Sequence, residues 1–195
     1  MSLFGRRPPP PSAADALRGA SWRCANCGRD HVGMFDLAAA APDYWKGARD
    51  YEPNGALRTE GNFLSEDFCV LDGEHFFVRC VFEIPVHDLP GRFAFGVWST
   101  LSRRNFDNYL AGFDDNAYPD PGPWSSWFST RLATFPDTAG QLCWMTPRGG
   151  RQRPVLALDD DGHPLALAQR EGITAERVLE IYAAYGHAPQ APPAA

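Results

Sequence analysis

His75-Phe76-Phe77-Val78-Arg79-Cys80-Val81-Phe82-Glu83-Ile84 is the stretch whose pattern sets the fold. Its even positions, Phe76, Val78, Cys80, Phe82 and Ile84, are all apolar, while His75, Arg79 and Glu83 fall on odd positions. Alternation with period two over such a length predicts a strand with one buried face. In Phe93 to Leu101 the apolar set moves to odd positions: Phe93, Phe95, Val97 and Leu101. Pro85, Pro90 and Gly91 interrupt pairing between the two runs, so an antiparallel hairpin is expected. Residues directly opposite each other share a face, which sets Ile84 against Phe93, Arg79 against Trp98 and Glu83 against Ala94. The fully apolar face predicts a buried, inert Cys80.

The other face of this hairpin carries His75, Arg79, Glu83 and Trp98 beside the small residues Ala94 and Gly96. Small residues next to tall ones would leave a shallow groove, and an Arg over an indole is worth about 0.5–2 kcal/mol. The competing reading is a face covered by a helix, with Arg79 and Glu83 merely paired.

Helices follow from caps and stripes. Ser102 suits an N-cap, with Phe106, Tyr109, Leu110 and Phe113 recurring at helical spacing behind it. Pro164 suits a first turn and Gly172 a stop, predicting a short helix over 165–171. Thr174 caps a last helix with Val178, Ile181, Tyr182 and Tyr185 as its stripe and Gly186 as its end. A further strand pair is expected over 142–146 and 154–158, joined by the Arg148-Gly149-Gly150-Arg151 turn. Strands and helices do not alternate strictly, which points to α+β: one domain with a central, mostly antiparallel sheet flanked by short helices.

The chain has 195 residues, 18 Lys+Arg against 24 Asp+Glu, and a formal charge of -6. That acidity, without a basic block, argues against nucleic-acid binding, where phosphate contacts dominate affinity. No apolar run reaches the ~18 residues that a membrane-spanning helix needs. Pro8 to Pro11 and the Ala/Pro-rich end from Ala188 read as extended tails, setting the expected boundaries at 1–21, 22–187 and 188–195. Arg6-Arg7 is followed by prolines rather than an apolar segment, so no export signal is read and a cytoplasmic setting is expected.

Five cysteines cannot all pair internally, and in a reducing compartment they stay mostly free. Cys24-Ala25-Asn26-Cys27-Gly28, followed by His31, is half of a zinc-binding pattern. Two thiolates at that spacing can share a tetrahedral Zn²⁺, and the glycine permits the turn that aims both sulfurs inward. No second Cys-x-x-Cys exists to complete a ribbon. A structural zinc would therefore recruit His31, or a cysteine distant in sequence, with Cys69 the best distant candidate. Cys24 and Cys27 should then sit together on a turn near the surface. The alternatives are a metal-free turn whose thiols pack as small apolar groups, and a redox pair that lacks a helix start to depress a thiol pKa.

Several segments in order resemble the uncharacterised bacterial family catalogued as domain of unknown function 2199. They are the Cys24–Gly28 knuckle with His31, Ser65-Glu66-Asp67-Phe68-Cys69-Val70, Glu74 to Arg79 through Pro85, and Phe95-Gly96-Val97-Trp98-Ser99-Thr100-Leu101-Ser102. Phe135-Pro136-Asp137-Thr138 and His163-Pro164-Leu165-Ala166 through Thr174 complete the set. The chain departs from the family pattern at Cys80, where a glycine would follow the arginine. The resemblance implies no activity.

No Gly-x-Ser-x-Gly, phosphate loop or dinucleotide loop is present. Asp159-Asp160-Asp161-Gly162 lacks the remaining calcium ligands and reads as a solvated turn. Two function classes remain. One is a non-catalytic binding protein whose aromatic loops (Tyr118, Trp124, Trp127, Phe128) meet a protein partner, a basic toxin neutralised by an immunity-type protein being one form. The other is a small enzyme using His75, Arg79, Glu83 and His163 as acid, base and anion holder.

Overall fold

Residues 12–19, 21–159 and 162–188 are described by a computed structural model. In chain order the first elements are α1 (Ala13–Leu17), β1 (Ser21–Arg23), β2 (Asp30–Val32), β3 (Leu37–Ala38), β4 (Phe63–Leu64) and β5 (Phe68–Leu71). The central ones are β6 (His75–Pro85), β7 (Arg92–Leu101), α2 (Arg103–Ala111) and β8 (Trp124–Phe128). The chain closes with β9 (Leu142–Thr146), β10 (Val155–Leu158), α3 (Pro164–Glu171) and α4 (Ala175–Ala184). Ser102, His163 and Thr174 cap α2, α3 and α4, each accepting a backbone N–H through its side chain. No helix among the described residues is long and apolar enough to cross a membrane.

The hairpin forms in the expected register: Ile84 faces Phe93, Glu83 faces Ala94 and Arg79 faces Trp98. The fold is α+β and dominated by its sheet, but that sheet is not a flat layer. β7 pairs with β8, β8 with β9, β9 with β10, and β10 returns to β6 through a parallel bridge between Val155 and Val81. Five strands thus close into a barrel, with β3 added outside on β7 and β5 and β4 outside on β6. The long β6–β7 pair permits this, because each strand has room for two neighbours at different heights along one edge. β5 takes the Phe76–Val78 end of β6 and β10 takes Val81. Closure removes exposed strand edges that would otherwise invite association.

The even residues of β6 and odd residues of β7 point into the barrel, where Val78, Cys80, Phe82, Ile84, Phe93 and Val97 are fully buried. Phe106 and Tyr109 from α2, and Val178, Ile181 and Tyr182 from α4, join that cluster. A second, smaller cluster forms on the outer face from Ala41, Leu64, Cys69, Phe77 and Trp98. The segment after β3 covers this face, with Ala39 O accepting from the Trp98 indole N–H and Ala39 N–H donating to Gly96 O. Gly96 is required there: a Cβ on it would stand 2.9 Å from Ala38 Cβ.

The aromatic segment around Trp124 differs from the expected loop. It is strand β8, burying Trp124, Ser126 and Phe128 and exposing Ser125 and Trp127. Two serines hid the alternation. Ser126 faces inward because its hydroxyl sits 3.1 Å from the buried Cys143 Sγ. Of the expected tails, residues 1–11, 20 and 189–195 lie outside the described residues. Ala13–Leu17 is a helix that packs against α4, with Leu17 buried. Asp160 and Asp161 of the acidic turn also lie outside the described residues.

Candidate metal centre

The knuckle is built by local geometry. β1 and β2 pair as a short antiparallel ribbon with Trp22 opposite His31. Between them Cys24 O accepts from Gly28 N–H at 3.1 Å, and Gly28 adopts φ +67°, open to glycine at little cost. The Cys27 N–H points at Cys24 Sγ across 3.5 Å. That bond is the largest influence on the Cys24 thiol, which backbone N–H groups hold down at about 5. Cys24 itself is buried and Cys27 exposed, so only one of the two thiols expected at the surface lies there.

The other half of the centre comes from the end of α4. Gly186 N–H bonds Ala183 O and His187 N–H bonds Tyr182 O at 2.7 Å, with Gly186 at φ +78°. This is a Schellman ending, and it fixes His187 directly after the helix. Ala188 O then accepts from Ala25 N–H at 2.8 Å, joining the C-terminal segment to the knuckle.

Cys24 Sγ, Cys27 Sγ and one ring nitrogen each from His31 and His187 all lie within 4.8 Å of one another. Cys27 Sγ is 3.4 Å from His31 Nε2, and Cys24 Sγ is 4.0 Å from His187 Nδ1. With Zn–S near 2.3 Å and Zn–N near 2.0–2.1 Å, the sulfur–nitrogen edge of a tetrahedron is about 3.6 Å. The two distances bracket that edge, and with all four atoms inside 4.8 Å the group could hold a metal ion as a Cys₂His₂ set.

The imidazoles are held by packing. His31 lies between Trp22 at 4.7 Å and Phe35 at 4.6 Å, and His187 meets it edge-on at 5.3 Å. Phe35 in turn stacks on Tyr182 at 4.3 Å. The Tyr182 hydroxyl donates to Phe35 O and accepts from Phe35 N–H. Rings fixed this way lose little freedom on taking up an ion.

Cys69 is not in this group. It sits on β5 in the outer cluster, and burial pushes its thiol up to about 12. His187 stands where a distant cysteine was expected. Its signal in the sequence is the glycine stop at Gly186, which sets the next residue, His187, at a fixed point beyond α4. Cys80 is fully buried, raised well above the ordinary thiol range and in contact with Met145 Sδ at 3.5 Å.

The groove candidates are dispersed. Arg79 stands 5.9 Å from the Trp98 ring, but Trp98 is buried beneath the segment after β3. Glu83 answers Arg148 at 3.1 Å and Arg92 at 3.8 Å. His163 caps α3 through Nδ1 and donates from Nε2 to Pro136 O at 2.9 Å. His75 alone borders a cavity, of about 650 Å³, on the outer face of the barrel. His75 and Glu83 are eight residues apart on one strand, about 26 Å, too far to act on one substrate bond.

A sequence profile described as an uncharacterized protein conserved in bacteria, DUF2199, matches residues 23–173. No curated protein and no solved structure matches the chain. The profile spans Cys24, Cys27 and His31 and ends before α4 and His187. The chain belongs to the DUF2199 family.

Proposed function

We propose that this DUF2199 protein is a non-catalytic binding domain, clasped by a structural zinc ion on Cys24, Cys27, His31 and His187, that engages a protein partner. The observation carrying the metal half is the convergence of four donors within 4.8 Å from opposite ends of the chain. Two sulfurs and two imidazoles suit Zn²⁺ above harder ions. Four protein ligands leave no open position for water, which favours a structural over a catalytic role. When bound, the ion supplies charge compensation for two thiolates and a cross-link between the knuckle and the end of α4. Cys24 and Cys27 orient through the turn, and the aromatic stack aims the imidazoles. Free thiols suit the reducing, cytoplasmic setting read from the sequence.

The binding half draws support from exposed aromatics on one barrel face, Trp127 and Trp144, and from a net charge of -6 that suits a basic partner. An immunity-type protein facing a basic toxin is one form of this reading. The enzyme alternative has less support, since its acid, base and anion-holding groups do not converge.

Metal analysis of the purified full chain tests the reading. Near-stoichiometric zinc, lost in Cys24→Ser and retained in Cys80→Ala, is the expected result. Protein that carries no zinc and cannot be loaded with it would overturn the metal half. A pull-down recovering only chaperones would count against the partner.

A further inference from the structure

We propose that the open slot between Tyr44 and Trp127, on the outer face of the barrel, is a binding site for a neutral saccharide unit. It is separate from the Cys/His group, does not rest on the metal reading, and shares Trp127 with the face proposed for a protein partner.

The slot arises where the cover over the outer face stops. The segment after β3 roofs Trp98 and Cys69 and ends in Tyr44, whose ring lies 6.1 Å from Phe77. Beyond it the strand register runs Phe77, Thr100, Trp127 across β6, β7 and β8. Phe77 and Trp127 are therefore two strand spacings apart, about 10 Å. Tyr44 and Trp127 remain 49% and 54% exposed, the slot's two large unburied rings. The cavity between them, about 650 Å³, lies within the range of small-molecule sites.

Polar groups gather around the Phe77 and Trp127 rings. His75 and Ser125 lie two residues along their strands from Phe77 and Trp127, on the same face, and Glu74 adjoins His75. The side chains of Glu74, His75, Thr100 and Ser125 make no hydrogen bond or ion pair among the described residues. The cavity thus divides between aromatic rings and unanswered donors and acceptors set between and beside them.

A pyranose matches that division. Its C–H face packs on an aromatic ring, while its hydroxyls require acceptors and donors at the edge. The Glu74 carboxylate can accept two O–H groups, and His75, Thr100 and Ser125 can each donate or accept. No Lys or Arg lines the cavity, which disfavours a phosphorylated ligand. Arg103, nearby over Phe76, is already held by Asp107 at 2.8 Å. An organic cation would use Glu74 and the rings but leave the hydroxyls and the imidazole without partners.

The test is ¹H–¹⁵N NMR of the full-length chain as purified, titrated with glucose, galactose, mannose, N-acetylglucosamine and maltose into the tens of millimolar. L-argininamide and inorganic phosphate are titrated in parallel. The expected result is saturable shifts from at least one sugar, centred on the Trp127 indole and the Thr100 and Ser125 amides. Trp127→Ala, a change at a half-exposed side chain, should weaken binding about tenfold or more. Glu74→Gln should weaken it by a similar factor. No saturable shift from any of the sugars overturns the proposal. So do shifts unchanged in Trp127→Ala, or tighter binding of L-argininamide or phosphate in the same slot. Zinc content read on the same samples keeps this outcome separate from that of the metal site.

Discussion

Cys24 Sγ lies 4.0 Å from Nδ1 of His187, 163 residues further along the chain. A turn after the first strand and a helix ending thus meet at one point. A metal there would close a loop containing the whole barrel, which gives the ion leverage over the global fold rather than over the knuckle alone.

His187→Ala is expected to reduce zinc affinity by more than about 100-fold, because even groups that only support a ligand cost 10–100-fold. Cys69→Ala should leave zinc content unchanged. Competition with a chromophoric chelator measures both. Equal zinc binding by wild type and His187→Ala would remove that residue from the site.

Thiol labelling of metal-free native protein should divide the five cysteines. Cys27 is exposed and should react quickly, whereas Cys24, held toward the thiolate by backbone N–H groups but buried, should react second, once the turn opens. Cys69, Cys80 and Cys143 are buried, with thiols raised by burial, and should react only on unfolding. Zinc should protect Cys24 and Cys27 in turn. Rapid labelling of Cys80 in folded protein would contradict the packing described above.

Alkaline pH should destabilise the fold before acid chemistry at these groups matters. Burial raises Cys69 and Tyr182 to about 12, whereas unfolded Cys and Tyr ionise near ~8.5 and ~10. The folded state holds protons that the unfolded state has lost, so this stability is complete below about 8.5 and falls as pH rises toward 12. Urea midpoints measured from neutral pH to about pH 10.5 should decline, with unchanged slope. A flat profile would count against it.

Gly186→Ala isolates the role of the helix ending. A Cβ there would meet only Asn26 Nδ2, at 4.0 Å, so space is available and the cost is the left-handed backbone alone. Thermal or urea unfolding should show a loss of about 1 kcal/mol, with zinc still bound but more weakly. Cys80→Ala should cost a similar ~1 kcal/mol through packing, yet leave zinc affinity untouched.

Much of this architecture was legible because it is written between neighbours. The even and odd residues of His75–Ile84 and Phe93–Leu101 define which face is buried, and a pleat of period two leaves a single register for the pair. Ser102, Thr174 and Gly186 mark helix ends through their own side chains or lack of one. Cys24, Cys27 and His31 fall on one turn and its ribbon. Trp124–Phe128 escaped this logic because Ser126 occupies an inward position, satisfied by Cys143 rather than by hydrophobicity.

Closure of the barrel was not written locally. The Val155–Val81 bridge is one residue pair between strands whose patterns say only that each is half buried, not which strand lies alongside. The same holds for the cover over Trp98: Ala94 and Gly96 announced a need for space, and Ala38 rather than a ligand meets Gly96. His187 joined the knuckle only through the packing of α4 on the barrel. Short-range sterics and periodicity are settled by adjacent residues, so sequence alone determined the β6–β7 pair and its register, the helix caps and three of the four residues of the Cys/His group. The choice of distant neighbours depends on burial summed over the whole chain, and that sum, available only in the folded molecule, decided the barrel, the roofed groove and the fourth member of that group.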